Sequence, residues 1–217
     1  MNLSARENIL SRIKQALETP TENPMPKPDF SVGVYAKSEE EYPDVIFAEN
    51  FKKNNGDFYY CESPEVFVNE LKQLLGRRDE ENIYIWDRYL QKLIEKSGLK
   101  FLYDDTDFLR ADIGITKCEA LISRTGSVLI SSRQTGGRRL SIYPPVHIVV
   151  AFASQLVYNV QEGLSLVRNK YDQEVFPSMI SLITGPSRTA DIEKTLVLGA
   201  HGPKEIILFF IDDNPTS

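Results

Sequence analysis

Apolar positions along this chain change their period several times, and each change marks an element. Leu3, Ile9, Leu10, Ile13 and Leu17 recur at helical spacing, which predicts a helix over residues 3–17. Pro20, Pro24, Pro26 and Pro28 follow, and a stretch so rich in proline sustains neither a helix nor a central strand. Residues 1–18 therefore read as a tethered N-terminal helix, 19–37 as a Pro-rich linker, and 38–217 as the main domain. The apolar stripe of the first helix suits a partner or another subunit, and equally the domain itself.

From residue 38 the period alternates. Residues 38–54 are moderately amphipathic, with Pro43 in an early turn and Asn54-Asn55-Gly56 as a stop. Phe58–Cys61 is β-prone. Ser63-Pro64-Glu65 then has the chemistry of a helix start: a hydroxyl cap, a proline where no N–H is needed, and an acid in the first turn. Val66, Phe67, Leu71, Leu74 and Leu75 form that helix's buried stripe. Ile83–Trp86 predicts a strand, Tyr89–Lys96 a helix stopped by Gly98, and Lys100–Tyr103 a strand. Such alternation marks a parallel sheet covered by helices on both faces.

The middle is β-rich. Ile113–Thr116, Glu119–Ser123 and Ser127–Ser132 are short apolar runs with no helix between them, and Arg124-Thr125-Gly126 reads as a hairpin turn. A glycine- and arginine-rich loop, Gln134–Ser141, leads to a buried strand starting near His147, and residues 154–170 have the spacing of a long helix. Ile180–Ile183 then predicts a buried strand, Thr184-Gly185-Pro186-Ser187 a turn, and Thr189–Ala200 a helix capped by Thr189, with Asp191 in its first turn. Gly202-Pro203 ends it, and Glu205–Ile211 is a second buried strand. Read this way, residues 179–211 form a βαβ unit.

Composition narrows the class. Hydrophobic residues make up 41% of the 217 positions, enough for a folded α/β domain. A net charge of -6 leaves no general basic face for nucleic acid. No apolar run reaches the ~20 residues of a membrane span, and no secretory leader is visible, so a cytoplasmic location is expected. Two cysteines, Cys61 and Cys118, and two histidines are too few for a cysteine-ligated iron–sulfur cluster or a Cys/His zinc site. Hence no metal and no cofactor is expected in this chain.

Two loops have residues suited to an anion. Gly185 permits close backbone approach, Ser187 and Thr189 offer hydroxyls, and Arg188 offers a guanidinium fork, beside the expected helix start. Capping alone also accounts for Ser187, Thr189 and Asp191. Gly136-Gly137-Arg138-Arg139 is a flexible cationic loop, suited to a carboxylate or phosphate or simply solvated. His147 enters an apolar run as a core histidine, and His201 sits at a helix stop. Neither a GxGxxG nor a GxxxxGK[ST] pattern occurs.

Three segments carry a family resemblance: Glu119-Ala-Leu-Ile-Ser-Arg-Thr-Gly-Ser-Val-Leu-Ile130, Arg139-Leu-Ser-Ile-Tyr-Pro-Pro-Val-His-Ile-Val-Val150, and Ile183-Thr-Gly-Pro-Ser-Arg-Thr-Ala-Asp-Ile-Glu-Lys-Thr-Leu-Val-Leu-Gly-Ala-His-Gly-Pro-Lys-Glu205. In these, the chain from about residue 40 onward resembles the LUD domain, the family of lactate-utilisation protein C. The resemblance implies a mostly parallel sheet with helices on both faces and a β-rich insertion, similar to the NagB/RpiA/CoA transferase-like fold. It also implies a component, accessory or regulatory, of a bacterial system that oxidises L-lactate to pyruvate, with iron–sulfur proteins as partners. In the related transferases a glutamate at the sheet's carboxyl edge serves as nucleophile or base, which makes Glu119 a catalytic candidate, with Thr125 and Gly126 beside it as candidates for ligand or anion binding; a surface carboxylate flanking a hairpin is the plainer reading. Two other functions fit the anion-suited loops: a stand-alone isomerase, transferase or cyclo-ligase acting on a phosphorylated or CoA-linked substrate, and a non-catalytic small-molecule binding module.

Overall fold

The computed structural model describes residues 4–18, 42–104, 106–172, 175–189 and 197–213. The first unit contains α1 (Ala5–Leu17), started by a capping box. Ser4 Oγ accepts from the Glu7 N–H, and the Glu7 carboxylate accepts from the Ser4 N–H at 2.8 Å. The proposed linker, residues 19–37, lies outside the described residues.

The main domain begins with α2 (Pro43–Lys53), β1 (Asp57–Cys61), α3 (Pro64–Leu75), β2 (Ile83–Ile85) and α4 (Arg88–Glu95). Next come β3 (Ile113–Lys117), β4 (Ala120–Ile122), β5 (Ser127–Ser131), β6 (Val146–Phe152), β7 (Leu156–Val157) and α5 (Val160–Lys170). It closes with β8 (Ile180–Ile183), β9 (Arg188–Thr189), β10 (Val197–Leu198) and β11 (Glu205–Ile211). Ser63 caps α3 and Asp87 caps α4, each accepting from first-turn N–H groups.

Five strands form a parallel sheet in the order β1-β11-β6-β3-β2. Its central strands are buried on both faces, so they read as unbroken apolar runs. Ile207, Phe209 and Ile211 of β11 point one way, onto Phe67 and Leu71 of α3 and Leu90 and Ile94 of α4. Ile206, Leu208 and Phe210 point the other way, onto Phe47 and Phe51 of α2 and Leu121, Val128 and Ile130 of a second sheet. That sheet has the order β7-β4-β5-β8. Its outer face, Ala120, Ile122 and Leu129, is covered by Val167 of α5. The domain is thus an α/β stack: helices, parallel sheet, α2 with the β-rich layer, then α5.

Four expectations are corrected. Lys100–Tyr103 does not form a strand; only Leu102 makes a single bridge to Tyr84. The long helix over 154–170 starts at Val160, because Leu156–Val157 pair with the free edge of β4 and Asn159 caps the helix that follows. Ile180–Ile183 is a partly buried edge strand, antiparallel to β5 in the second sheet, and does not join the parallel one. Finally, Thr189 pairs with Val197 and Arg188 with Leu198, so the continuous helix from Thr189 to Ala200 is not formed. Here ladder pairing overrides a helical spacing, locked by the Ser187 N–H on Pro203 O at 2.8 Å and the Gly199 N–H on Ser187 O at 2.9 Å. Asp191, Ile192 and Leu196 lie outside the described residues. β8 and β11 belong to different sheets, so residues 179–211 are not a βαβ unit.

His147 is a core histidine, fully buried on the face of β6 that meets the second layer. Its Nε2 lies 2.8 Å from Thr116 Oγ1, and its Nδ1 has no hydrogen-bond partner among the described residues. Burial pushes its pKa from 6.5 down to about 3. The unfolded chain binds this proton below pH 6.5 while the fold excludes it until about pH 3, so stability falls as pH falls through that window. Urea titrations should show the wild type losing stability relative to His147→Gln below pH 6.5, by at most about 1.4 kcal/mol per pH unit. Identical pH dependence in the two would mean that His147 titrates in the folded state as in water.

Candidate functional site

The anticipated loops are held mainly by contacts with the protein itself. Thr125, Gly126, Gly185 and Arg188 gather around the C-terminal end of α2. Asn54 Nδ2 donates to Thr125 O at 2.9 Å, and Arg188 donates to Asn54 O at 2.6 Å, a cation on the negative end of a helix dipole. Gly126 has φ +60° and a Cβ there would come 2.4 Å from Asn50 backbone carbon; Gly185 has φ +82° and a Cβ there would come 2.2 Å from Asn54 O. Asn54 lies just before β1 and Pro203, which accepts from the Ser187 N–H, just before β11. The cluster therefore sits at the amino edge of the parallel sheet, with Thr189 in β9.

The glycine–arginine loop closes over β3 and β5. A Cβ on Gly137 would come 2.3 Å from Ser131 O, and Ser141 Oγ donates to Gly137 O at 2.6 Å. Arg138 donates to Ser178 Oγ. The Arg139 guanidinium lies over the Phe108 and Trp86 rings, 5.1 and 5.7 Å from their centroids. The start of the same loop, Gln134 and Thr135, reaches elsewhere: into a cavity.

This cavity, of about 470 Å³, opens at the carboxyl ends of β2, β3, β6 and β11. Asp87, Lys117, Phe152 and Asp213 come from those strand ends; Arg133, Gln134, Lys170 and Tyr171 come from the second layer and the end of α5. Open α/β sheets bind ligands at this edge. Lys117 pairs with Asp87 at 3.0 Å and lies over the Tyr89 ring. Asp213 accepts from the Ser154 N–H and Oγ–H at 2.8 and 2.5 Å. Gln155 fastens the β3–β4 junction to β6, accepting from the Phe152 N–H and donating to Cys118 O.

Glu119 stands behind the cavity wall, its side chain 1% exposed. Oε2 accepts from Lys170 Nζ at 2.7 Å; Oε1 accepts from Ser131 Oγ at 2.6 Å and Tyr171 OH at 2.8 Å. Burial works against the Lys170 charge, but the Glu119 hydrogen bond and charge outweigh it and hold Lys170 above its ordinary 10.5. The pair is fully formed below pH 10.5 and is lost as pH rises through the raised value. Burial, then Glu119, also raises the Tyr171 phenol. Burial, with Glu119 adding to it, pushes the Cys118 thiol up as well. The site therefore presents an ammonium, a phenol and a thiol, not an amine or thiolate nucleophile. Both Glu119 oxygens are occupied by donors, so its visible work is to fix Lys170 at the cavity rim.

Of the expected residues, Glu119 is connected to this cavity through Lys170 and Tyr171, which line it. Lys117, Arg133 and Lys170 escaped the sequence reading because none belongs to a motif, and Tyr171 reads in the sequence as one of several aromatics at core spacing. The signal that could have found Lys117 is a polar residue directly after an apolar strand run. Among the described residues no group of three His, Cys, Asp or Glu side chains could hold a metal ion, and no helix is long and apolar enough to cross a membrane.

Residues 46–211 match the LUD domain family, and this chain belongs to it. It is 34% identical over 105 residues to lactate utilization protein C of Bacillus licheniformis, covering 48% of this chain and 44% of that one, so that alignment spans less than half of the relative. It is 27% identical over 219 residues to lactate utilization protein C of Shouchella clausii, covering 95% of this chain and 94% of that one. The fold is that of a DUF162 family protein from Deinococcus radiodurans, with a TM-score of 0.59, 20% identity, and coverage of 78% of this chain and 96% of that one.

Glu119→Gln should lower the Lys170 pKa toward 10.5, read as faster amine modification of Lys170 in the variant at alkaline pH. It should also cost roughly 1–3 kcal/mol in denaturant titration, the worth of weakened hydrogen bonds to a buried charge. An unchanged Lys170 modification profile would mean that Glu119 does not hold it.

Proposed function

We propose that this protein is a cytoplasmic component of an L-lactate utilisation system, acting beside iron–sulfur proteins in the oxidation of lactate to pyruvate. The observation that carries this reading is membership of the LUD domain family combined with near full-length similarity to a lactate utilization protein C. The chain's own chemistry agrees. Its two cysteines are buried, free thiols, too few to ligate a four-cysteine cluster, so electron transfer through clusters would belong to partner chains. Burial holds Cys61 at about 11 and Cys118 higher still, which leaves neither as a thiolate near neutral pH. The cavity offers donors and charge rather than a nucleophile, in keeping with an accessory or regulatory part.

Deleting the gene in its host should abolish or strongly slow growth on L-lactate while leaving growth on glucose intact. Affinity purification of the tagged chain from lactate-grown cells should bring down cysteine-rich iron–sulfur proteins. Normal growth of the deletion strain on L-lactate would remove the reading.

A further inference from the structure

The geometry points to the outer edge of β8 as a self-association surface, on which a second copy of this chain adds its own β8 antiparallel across a twofold axis at Ser181. The inference concerns assembly and does not rest on the metabolic reading above.

β8 ends the second sheet, with β5 on one side and no strand on the other among the described residues. The ladder decides which of its backbone groups face outward. Met179 O accepts from the Ser132 N–H at 2.9 Å, and antiparallel alternation from that pair turns Ser181 and Ile183 toward β5. Ile180 and Leu182 therefore point their N–H and C=O groups away from the sheet, a row that templates another strand.

The other edges of the two larger sheets are blunted. β7 is only two residues long. β2 is closed by Leu102, which accepts from the Ile85 N–H at 2.9 Å and donates to Ile83 O at 2.7 Å. β1 lies between Asp57 and Glu62, carboxylates that an antiparallel copy of β1 would set side by side. β8 has none of these devices. No charged residue occurs from Val175 to Ser187, and Pro177 and Pro186 lie outside the strand.

Symmetry and charge select a second copy as the occupant. A twofold axis relates an edge strand to its own antiparallel partner, so each contact occurs twice. With the axis at Ser181, Ile180 lies opposite Leu182 of the second copy, and each such pair exchanges both backbone bonds. Ile180 packs on the outer face with Val167 and Tyr171, and Leu182, two residues on, shares that face. Leu182 is 44% exposed there, and the pairing covers it with a matching apolar side chain. A neutral edge meets its copy without like charges opposed, while a strand chosen by its charge would find none to read. Pairing over four residues, flanked by the exposed Val175 and Phe176, falls below the ~1,200 Å² of a standard interface, so the dimer is weak and concentration-dependent.

Sedimentation velocity of the full chain over a wide concentration range tests the surface. A monomer–dimer equilibrium with a dissociation constant on the order of micromolar is expected. Leu182→Lys and Leu182→Glu each set like charges diagonally across the axis and should raise that constant about tenfold or more, with unchanged circular dichroism. An equimolar mixture of the two variants should recover dimer as the mixed species. Hydrogen exchange reads the register without any substitution: higher protein concentration should protect the Ile180 and Leu182 amides and leave those of Ser181 and Ile183, already turned to β5, unchanged. α1 has an exposed apolar stripe of its own, so the dimer supports this edge only where Leu182 controls it. A monomer at every concentration, a dimer indifferent to Leu182 substitution, or Ile180 and Leu182 amides that exchange alike at low and high concentration would overturn the assignment.

Discussion

Burial of the parallel sheet on both faces is the constraint from which the rest of this structure follows. A strand such as β11, with Ile206 to Ile211 all buried, needs apolar cover above and below. At roughly 25 cal/mol per Å² of apolar surface, leaving either face wet would cost far more than a domain's net stability. One face is covered by α3 and α4. The other is covered by α2 and a second sheet, whose own outer face then needs α5. The domain is several layers deep because each sheet has two faces to cover.

The same layering makes the candidate site. A β-rich layer laid over a parallel sheet brings the loop after β5 and the end of α5 to the sheet's carboxyl edge. Lys170 and Arg133 thereby meet Lys117 and the strand-end carboxylates, although the chain separates them widely. Glu119 ties the second layer together: it stands just before β4, accepts from Ser131 of β5 and holds Lys170 at the end of α5. Desolvating that carboxylate is costly, and three donors offset the cost. One outcome is a rim cation with a fixed position.

Where local pattern and long-range pairing agreed, the sequence was legible. Ser63-Pro64-Glu65 and the unbroken apolar runs of β6 and β11 declared the α/β core, because capping chemistry and two-sided burial leave local marks. Thr189 and Val197 misled, since their helical spacing yields to a ladder between β9 and β10 that is held by Pro203 and Ser187. Leu156–Val157 misled in the same way, drawn off a helix by the open edge of β4. Gly185 and Gly126 did signal close backbone approach, but what approaches is Asn54 and Asn50 at the end of α2. The charged cavity left no motif, because it is assembled from single residues at the ends of different elements.

The strand order has a consequence for how the fold forms. Among the described residues β1 lies at the edge and pairs only with β11, Asp57 opposite Ile207, so the partners meet across about 150 residues of chain. Closing a loop that long costs entropy before any contact repays it. β6, β3 and β2 can assemble among themselves earlier, but β1 has no ladder to join until β11 is in place. Until then the apolar flank of β6 is an open edge, the kind of surface on which chains associate wrongly. Slow, late completion of the sheet, with exposure to aggregation along β6, is the kinetic counterpart of a site that gathers its residues from the whole domain.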